Sequence, residues 1–340
     1  MRVSRSRQSS GLALLGVLLF VLLSVSGLAT FLGVATLDRS SVYNRDLSAR
    51  CEALARGGLR LATVLLLQDR LDETRDGLRV ESDQDLWQRA TPVVWETQEG
   101  TVQIRIEDAG ARLDLNALFV DGAPRDSATE ALLVALLDKV VHAMPERAGR
   151  QPYDSEKLAR ALMDYVDADD VSQTGSSEDE PYQRRSPGSG AANRPLLSVD
   201  ELGLVAGFDR PLVEALRPYV GVYPLAGGNG INPNTAPPWV LALLFHGTGG
   251  DFRLADEETV RHILDLRENG AILCADEAEN PACTPLRDAV DGEVYPPPTF
   301  SSDFFRVSVE ARSGSVRRTL EAVVDRSDPK QVAVLSWSLR

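Results

Sequence analysis

The N-terminal segment of this chain most constrains what the chain can fold into. Residues 12–37 contain no charged side chain, whereas residues 1–7 include three arginines. An apolar helix of that length crosses the roughly 30 Å hydrocarbon core of a bilayer. The basic residues on its N-terminal side predict that the short N-terminus stays in the cytoplasm. We therefore expect one transmembrane helix at 12–37, with residues 38–340 on the far side of the membrane.

Three kinds of N-terminal segment have this composition. A cleaved secretory signal peptide usually has a shorter apolar stretch, about 7–15 residues, and no small-x-small cleavage site follows this one. A plain signal anchor is the second kind. The third is the leader of type IV pilins and pseudopilins, which this segment resembles because basic residues and Ser-Ser-Gly11 precede an uninterrupted apolar helix. That resemblance implies that prepilin peptidase cuts between Gly11 and Leu12, so that 1–11 is a leader peptide and the helix is retained.

Size and charge restrict the classes of partner. The chain has 340 residues and a formal net charge of −14, with a pI of about 4.8. A polyanionic surface repels phosphate backbones, so nucleic acid is not an expected partner. A hydrophobic content of 43% is enough for a core in one large or two ordinary domains.

The cysteines offer one candidate cross-link. Cys51 lies in a helical stretch near the membrane segment, and Cys274 and Cys283 bracket a short polar loop. In an oxidising periplasm the latter pair would close a small disulfide loop. The alternative is a pair of free thiols.

Hydrophobic periodicity predicts the architecture. Apolar residues at spacings of three and four extend the first helix to about Leu66. Alternating patterns predict a β-hairpin at 91–107 and three more strands between 304 and 338. Between them the patterns are helical, at 128–144, 154–170, 198–207 and 256–269, and Ser198 with Glu201 forms a capping-box motif. We predict an α+β fold: a long N-terminal helix packed on an antiparallel sheet from 38–120 and 300–340, with a mostly helical domain inserted at 121–299.

Several local signatures recur in a particular order along the chain. They are Gly16 at the fifth mature position (where most pilins have glutamate), Arg112-Leu-Asp-Leu-Asn116, Leu162–Asp170, Asn193-Arg-Pro-Leu196, Asn232-Pro-Asn-Thr-Ala236 and a last strand with Trp337. In this order they resemble the type II secretion system protein K family (the GspK family), the large minor pseudopilin, whose members also lack that glutamate.

The resemblance implies a pseudopilin α+β fold with a large helical insertion. It also implies a single-pass protein of the inner membrane, with most of the chain in the periplasm. Its partners would be the minor pseudopilins I and J, with which it would start pseudopilus assembly from the tip. Because Gly16 offers no carboxylate to a subunit above, the chain suits that position.

The acidic residues between 164 and 180 are the strongest chemical signal. They are Asp164, Asp167, Asp169, Asp170, Glu178, Asp179 and Glu180. The spacing does not match an EF-hand, so composition alone favours a solvated acidic loop. Members of the resembled family carry calcium in the inserted domain near such a loop. We therefore expect calcium, held first by Asp167, Asp169, Glu178 and Asp179.

The sequence carries no recognisable catalytic pattern. None of its three histidines lies in an HExxH motif, and no GxSxG motif occurs. We expect a structural and assembly protein and not an enzyme. The alternative is a membrane-anchored periplasmic calcium-dependent binding module or hydrolase.

Overall fold

The computed structural model describes residues 8–76, 79–145, 152–172, 176–183, 190–223, 230–275 and 283–340. The α-helices of these ranges are α1 (Gln8–Asp76), α2 (Leu86–Ala90), α3 (Ala128–Ala143), α4 (Ser155–Val166), α5 (Glu180–Gln183), α6 (Arg210–Leu216), α7 (Pro238–Leu241) and α8 (Glu257–Glu268). The strands are β1 (Val93–Thr97), β2 (Gly100–Asp108), β3 (Leu113–Asp114), β4 (Phe119–Val120), β5 (Ala123–Pro124), β6 (Val220–Gly221), β7 (Phe245–Thr248), β8 (Asp251–Leu254), β9 (Leu273–Cys274), β10 (Thr284–Pro285), β11 (Glu293–Tyr295), β12 (Phe304–Ser313), β13 (Val316–Asp325) and β14 (Ala333–Leu339). Short 3-10 helices lie at Ala109–Ala111, Leu115–Leu118, Val199–Leu204 and Leu286–Asp288.

Helix α1 has two halves with different surroundings. It contains 69 residues, which is about 100 Å at 1.5 Å per residue. Every side chain from 13 to 46 is exposed, and this part is apolar enough to cross a membrane, with a mean hydropathy of 2.4 in its best window. From Leu47 onward one face is buried, as the spacing of three and four predicts.

The buried face of α1 packs on a five-stranded antiparallel sheet in the order β1-β2-β12-β13-β14. Val309 of β12 pairs with Ile104 of β2 on one side and with Leu320 of β13 on the other. All three are buried, so they form the centre of this core under α1. At Gly58 a Cβ atom would lie 2.5 Å from Val309 Cγ1, so glycine lets α1 approach the sheet closely. The predicted hairpin and C-terminal strands thus form one sheet, and the α+β fold class is confirmed.

A second core lies within the insertion. It runs from Leu113 to Tyr295 and includes the apolar faces of α3, α4 and α6. The prediction of mostly helical structure missed a three-stranded sheet here, in the order β11-β7-β8. These strands are three or four residues long, too short for an alternating pattern to stand out.

The capping-box prediction at Ser198 is wrong. Val199–Leu204 forms a 3-10 helix, and within the described residues the Ser198 side chain makes no capping hydrogen bond. The Glu201 carboxylate instead accepts a hydrogen bond from the Leu197 N–H at 2.7 Å and forms an ion pair with Arg194. The Glu201 carboxylate is thus engaged by the Leu197 N–H and by Arg194.

Three buried asparagines attach the insertion to its surroundings. The Asn116 side chain donates to the Leu196 carbonyl and accepts from the Leu196 N–H, and it also donates to the Tyr223 carbonyl. Asn232 donates to Asp108 Oδ2 at the end of β2, at 2.9 Å, and Asn234 bonds in both directions to Leu273. Each amide serves as donor and acceptor at once, which a buried polar group needs. The motifs around Asn116 and Asn232 therefore join separate segments.

A buried arginine closes the far end of the α1 core. Arg326 directly follows β13 and is fully buried. Its guanidinium pairs with Asp69 at 2.7 Å, with Glu73 at 2.6 Å and with Glu81, and its Nε donates to the Ser302 carbonyl. It also lies 4.6 Å above the ring of Phe305. The end of α1, the segment after it and the end of β13 are thus held by one cation.

Candidate functional site

The C-terminal end of α4 positions two carboxylates. Asp154 directly precedes α4 and caps it by accepting a hydrogen bond from the Lys157 N–H, and Asp167 directly follows its last residue. The Asp167 N–H donates to the Met163 carbonyl at 2.9 Å, which fixes this last turn. Asp164 lies three residues earlier, so the two side chains share one face of the helix.

The following loop returns a third carboxylate to the same place. Val171 and Ser177 form an antiparallel bridge, and the Ser172 N–H donates to the Ser176 carbonyl at 2.9 Å. This pairing places Glu178 beside the end of α4. One carboxylate oxygen from each of Asp164, Asp167 and Glu178 lies within 4.8 Å of the others.

Two of these carboxylates lack ordinary partners. Asp167 and Glu178 are each 3% exposed. Within the described parts of the chain, Asp167 Oδ1 and both Glu178 oxygens accept no hydrogen bond. Burial, and next the neighbouring Asp169 and Asp164 charges, raise the pKa of Asp167 to about 6. Burial and the adjacent Asp167 charge raise the pKa of Glu178 to about 8.

Of the four expected calcium ligands, two lie together and two bond to the backbone elsewhere. The structure brings Asp167 and Glu178 together. The Asp169 carboxylate instead accepts from the Val171 N–H at 2.8 Å, and the Asp179 carboxylate accepts from the Ala191 N–H at 3.1 Å. The third member of the group is Asp164, which sequence reasoning placed in the acidic set but not among the first ligands. Its spacing of three from Asp167 at a helix end was the signal that could have selected it.

This arrangement fits a hard cation. The group offers carboxylate oxygens alone, which are the ligands that calcium prefers. A buried carboxylate without partners is costly, and a divalent cation would remove that cost for Asp167 and Glu178 together. The residues that would hold it are Asp164, Asp167 and Glu178. A bound cation would tie the end of α4 to the segment that leads into α5, where the ring of Tyr182 lies 5.8 Å from that of Tyr165.

The cysteines occupy two environments. Cys274 in β9 and Cys283 beside β10 are joined in a disulfide, with their Cα atoms 5.9 Å apart. Residues 276–282 between them lie outside the described ranges. Cys51 is a buried free thiol in α1 and donates to the Val316 carbonyl of β13 at 3.4 Å.

The predicted cleavage position lies at the start of α1. The backbone of Gly11 and Leu12 is helical there, and the side chain of Leu12 lies outside the described part of the chain. At Gly16 an added Cβ would meet no atom within 4 Å, so this side of the helix is open.

A long N-terminal helix, apolar and exposed in its first half and packed on an antiparallel sheet in its second, defines a pseudopilin. Here the sheet is interrupted by a large insertion between β2 and β12. The family model of type II secretion system protein K matches residues 111–225, within that insertion. A relative that is 32% identical and covered over 68% of its length, type II secretion system protein K of Klebsiella pneumoniae, shows the family. The chain belongs to the type II secretion system protein K family, as the resemblance predicted. Its members are named as components of a secretion system.

Known relatives and a solved structure agree with this assignment. Type II secretion system protein K of Klebsiella pneumoniae is 32% identical over 237 residues, which cover 67% of this chain and 68% of the relative. The protein K of Aeromonas hydrophila is 27% identical over 338 residues, covering 97% and 96% of the two chains. A chain in the crystal structure of the GspK-GspI-GspJ complex from enterotoxigenic Escherichia coli has the same fold, with a TM-score of 0.62, 21% identity and coverage of 88% of this chain and 99% of that one.

Proposed function

We propose that this chain is the tip subunit of a type II secretion pseudopilus, which starts pseudopilus assembly with minor pseudopilins I and J and thereby supports protein export across the outer membrane. The insertion carries this proposal. Its core, from Leu113 to Tyr295, adds a second body beside the pseudopilin sheet. A subunit of that width does not suit the shaft of a narrow filament, whereas the tip leaves room for it. A family relative crystallised in complex with GspI and GspJ supports the choice of partners.

The anchor completes the proposal. The exposed apolar part of α1 would span the inner membrane and leave the sheet and insertion in the periplasm. Prepilin peptidase would remove residues 1–11 and leave Leu12 as the new N-terminus. Gly16 would then give a neighbouring N-terminus no carboxylate, which suits the last subunit of a filament.

We further propose that the acidic group of Asp164, Asp167 and Glu178 binds calcium as a structural ion. The buried oxygens without partners on Asp167 and Glu178 support this proposal. The ion would stabilise the loop after α4 and leave the membrane anchor unaffected. Its role would be to keep the insertion folded in the periplasm, where calcium is accessible.

Assembly is tested with the full chain and the I and J proteins of the same secretion system. The three are co-expressed in one membrane, solubilised in mild detergent and purified through a tag on this chain. We expect I and J to elute with it as one complex. Failure of both to co-purify would refute the assembly role. The Gly11→Phe variant should stay full-length in the presence of prepilin peptidase, and normal shortening of it would refute the leader assignment.

A further inference from the structure

Two turns form the end of the sheet that lies nearer the apolar segment. The β12–β13 turn meets α1 at its first buried residue, because a Cβ added at Gly314 would lie 3.1 Å from Leu47 Cδ1 and 3.8 Å from the Tyr43 hydroxyl. The β1–β2 turn lies beside it, where the Ser313 hydroxyl donates to the Glu99 carbonyl at 2.6 Å. We name this end of the protein the membrane-side rim, and it comprises residues 38–50, 94–103 and 310–319, with Arg340 paired to Thr319.

Helix α1 sets the height of the rim above a bilayer. The helix is continuous from the apolar segment through Leu47. Tyr43 and Leu47 lie six and ten residues beyond residue 37, which places the β12–β13 turn about 9–15 Å above the end of that segment. The polar headgroups occupy about 5–8 Å of this distance. The remaining gap is at most about 10 Å, comparable to the Debye length of about 8 Å at physiological ionic strength.

The length of the apolar segment brings one side of the rim closer still. As a helix, residues 12–37 measure about 39 Å, whereas the hydrocarbon core is about 30 Å thick. A membrane helix accommodates such an excess by tilting. A tilt lowers one side of the sheet toward the headgroups, and the charges of the rim decide which side is favoured.

The rim differs in charge from the insertion. It contains seven arginines and five acidic residues, whereas residues 121–299 contain 15 basic and 30 acidic residues. The rim is therefore net positive, although the whole chain has a net charge of −14. An anionic surface attracts the rim and repels the insertion, so it orients the protein with the rim toward that surface.

The excess of positive charge in the rim is greatest at the β12–β13 turn. Arg312 and Arg317 flank this turn and share one acidic partner, Glu310, at 2.7 and 2.8 Å. Both arginine side chains remain more than half exposed, at 58% and 59%. At the β1–β2 turn the balance is reversed, since Arg50 has two acidic partners there. The β12–β13 side is thus the side that an anionic surface attracts.

The adjacent part of α1 carries side chains suited to a headgroup layer. Arg39 and Arg45 are exposed, and neither forms an ion pair within the described part of the chain. Tyr43 is 58% exposed, next to the β12–β13 turn. Arginine extends its charged end into the headgroups from an apolar stem, and tyrosine is enriched at that depth. These residues continue the basic surface of the turn down to the apolar segment.

We propose that the β12–β13 turn and the adjacent part of α1 dock on the headgroups of anionic phospholipids. The protein then tilts in the membrane with this side of the sheet lowest and the acidic insertion farthest from the bilayer. This proposal rests on the proposed membrane anchor and goes beyond the assembly role. It concerns the chain before it enters a pseudopilus, while the sheet still stands beside the bilayer.

The test uses the full chain in phosphatidylcholine vesicles with or without about one third phosphatidylglycerol. A fluorophore is attached at Ser315→Cys in the turn, and lipids with a nitroxide headgroup quench it on approach. Labelling is specific because Cys51 is buried and Cys274 is bonded to Cys283. We expect at least about two-fold stronger quenching with phosphatidylglycerol, and loss of this difference in about 1 M salt, where the Debye length is about 3 Å. A label at Gln331→Cys, at the opposite end of the sheet, should show no difference.

Charge variants establish the cause of the quenching. Arg312→Gln/Arg317→Gln should lower the ratio of docked to undocked chains at least about ten-fold, and Glu310→Gln should raise it. The control pair Arg210→Gln/Arg261→Gln removes the same charge from the insertion and should leave the quenching unchanged. Melting temperatures within about 2 °C of the original establish that the variants fold.

The outcomes separate the docking from the anchor. Equal quenching in the two kinds of vesicle, undiminished quenching of the Arg312→Gln/Arg317→Gln variant, or an equal loss in the control pair would each overturn the proposal. If alkaline carbonate extracts the unaltered chain from the vesicles, the proposed anchor fails and the docking fails with it. If the chain stays in the bilayer and the quenching is equal in both lipids, the docking alone fails.

Discussion

Replacing Arg326 with methionine tests whether a buried cation holds the end of α1 to the sheet. Its three acidic partners are themselves hidden: Glu81 is fully buried, and the side chains of Asp69 and Glu73 are 8% and 9% exposed. Methionine fills similar space but supplies no charge. The substitution therefore leaves three carboxylates close together in a poorly solvated place.

The expected cost follows from that geometry. Removing one partner of a buried ion pair costs about 3–5 kcal/mol, because the remaining charge has no compensation. At about 2 °C per kcal/mol for a chain of this size, Arg326→Met should lower the melting temperature by about 6–10 °C at pH 7.5. The control is Arg317→Met, which removes an ion pair with Glu310 whose arginine side chain is 59% exposed. Such pairs contribute at most about 1 kcal/mol, so this variant should melt within about 2 °C of the original.

The pH dependence distinguishes lost charge from lost packing. Burial already raises the pKa of Asp69 and raises that of Glu81 well above its ordinary value, and Arg326 acts against both shifts. Without Arg326 these carboxyls take up protons more readily, so the deficit should shrink at pH 5. The assay is thermal unfolding of the full chain in detergent, followed by tryptophan fluorescence. Equal melting temperatures for the two variants at pH 7.5, or a deficit that is the same at pH 5, would refute the reasoning.

Three further predictions concern other parts of the chain. Calcium should raise the melting temperature of the full chain. Asp167→Asn should abolish most of that rise, whereas Asp169→Asn should abolish little of it. An equal loss in both variants would contradict the site. Burial raises the pKa of Asp85 from its ordinary value of 3.8 to about 7, so the folded state holds a proton that the unfolded state releases. This contribution to the free energy of unfolding is complete below about pH 4 and is lost as the pH rises to 7, by at most about 1.4 kcal/mol per pH unit. Urea titrations at successive pH values measure that slope, and Asp85→Asn should flatten it. Asn232→Ala leaves the buried Asp108 Oδ2 with one donor fewer and should cost about 1–3 kcal/mol by urea unfolding, whereas no change would show that this bond contributes little.

Long regular segments could be predicted from the sequence, because their patterns repeat many times. The apolar face of α1 recurs over several turns beyond Leu47, and β12 and β13 each have ten residues in which buried and less buried positions alternate. The short strands of the insertion could not be predicted, because pairing with distant segments decides them. β3, for example, is only Leu113 and Asp114 paired with Val220 and Gly221.

The acidic group could likewise be predicted only in part from the sequence. Composition identified the acidic stretch, but the choice among its carboxylates depends on which ones the loop returns to the end of α4. Asp169 is the residue that proximity in sequence favours, yet its carboxylate accepts a hydrogen bond from the backbone two residues ahead. Glu178 lies beside Asp167, next to the point where Ser177 pairs with Val171.

β2 and β12 are adjacent in the sheet but far apart in the sequence, and this separation affects the order of folding. β2 ends at Asp108 and β12 begins at Phe304, so the whole insertion is synthesised between them. At about 5–20 residues per second, the ribosome takes roughly 10–40 s to cover that interval. During that time α1 and the first hairpin lack β12, the strand that pairs with β2 and completes the core under α1. The insertion contains its own core and can form first, so the part of the molecule that comes first in sequence is the last to close.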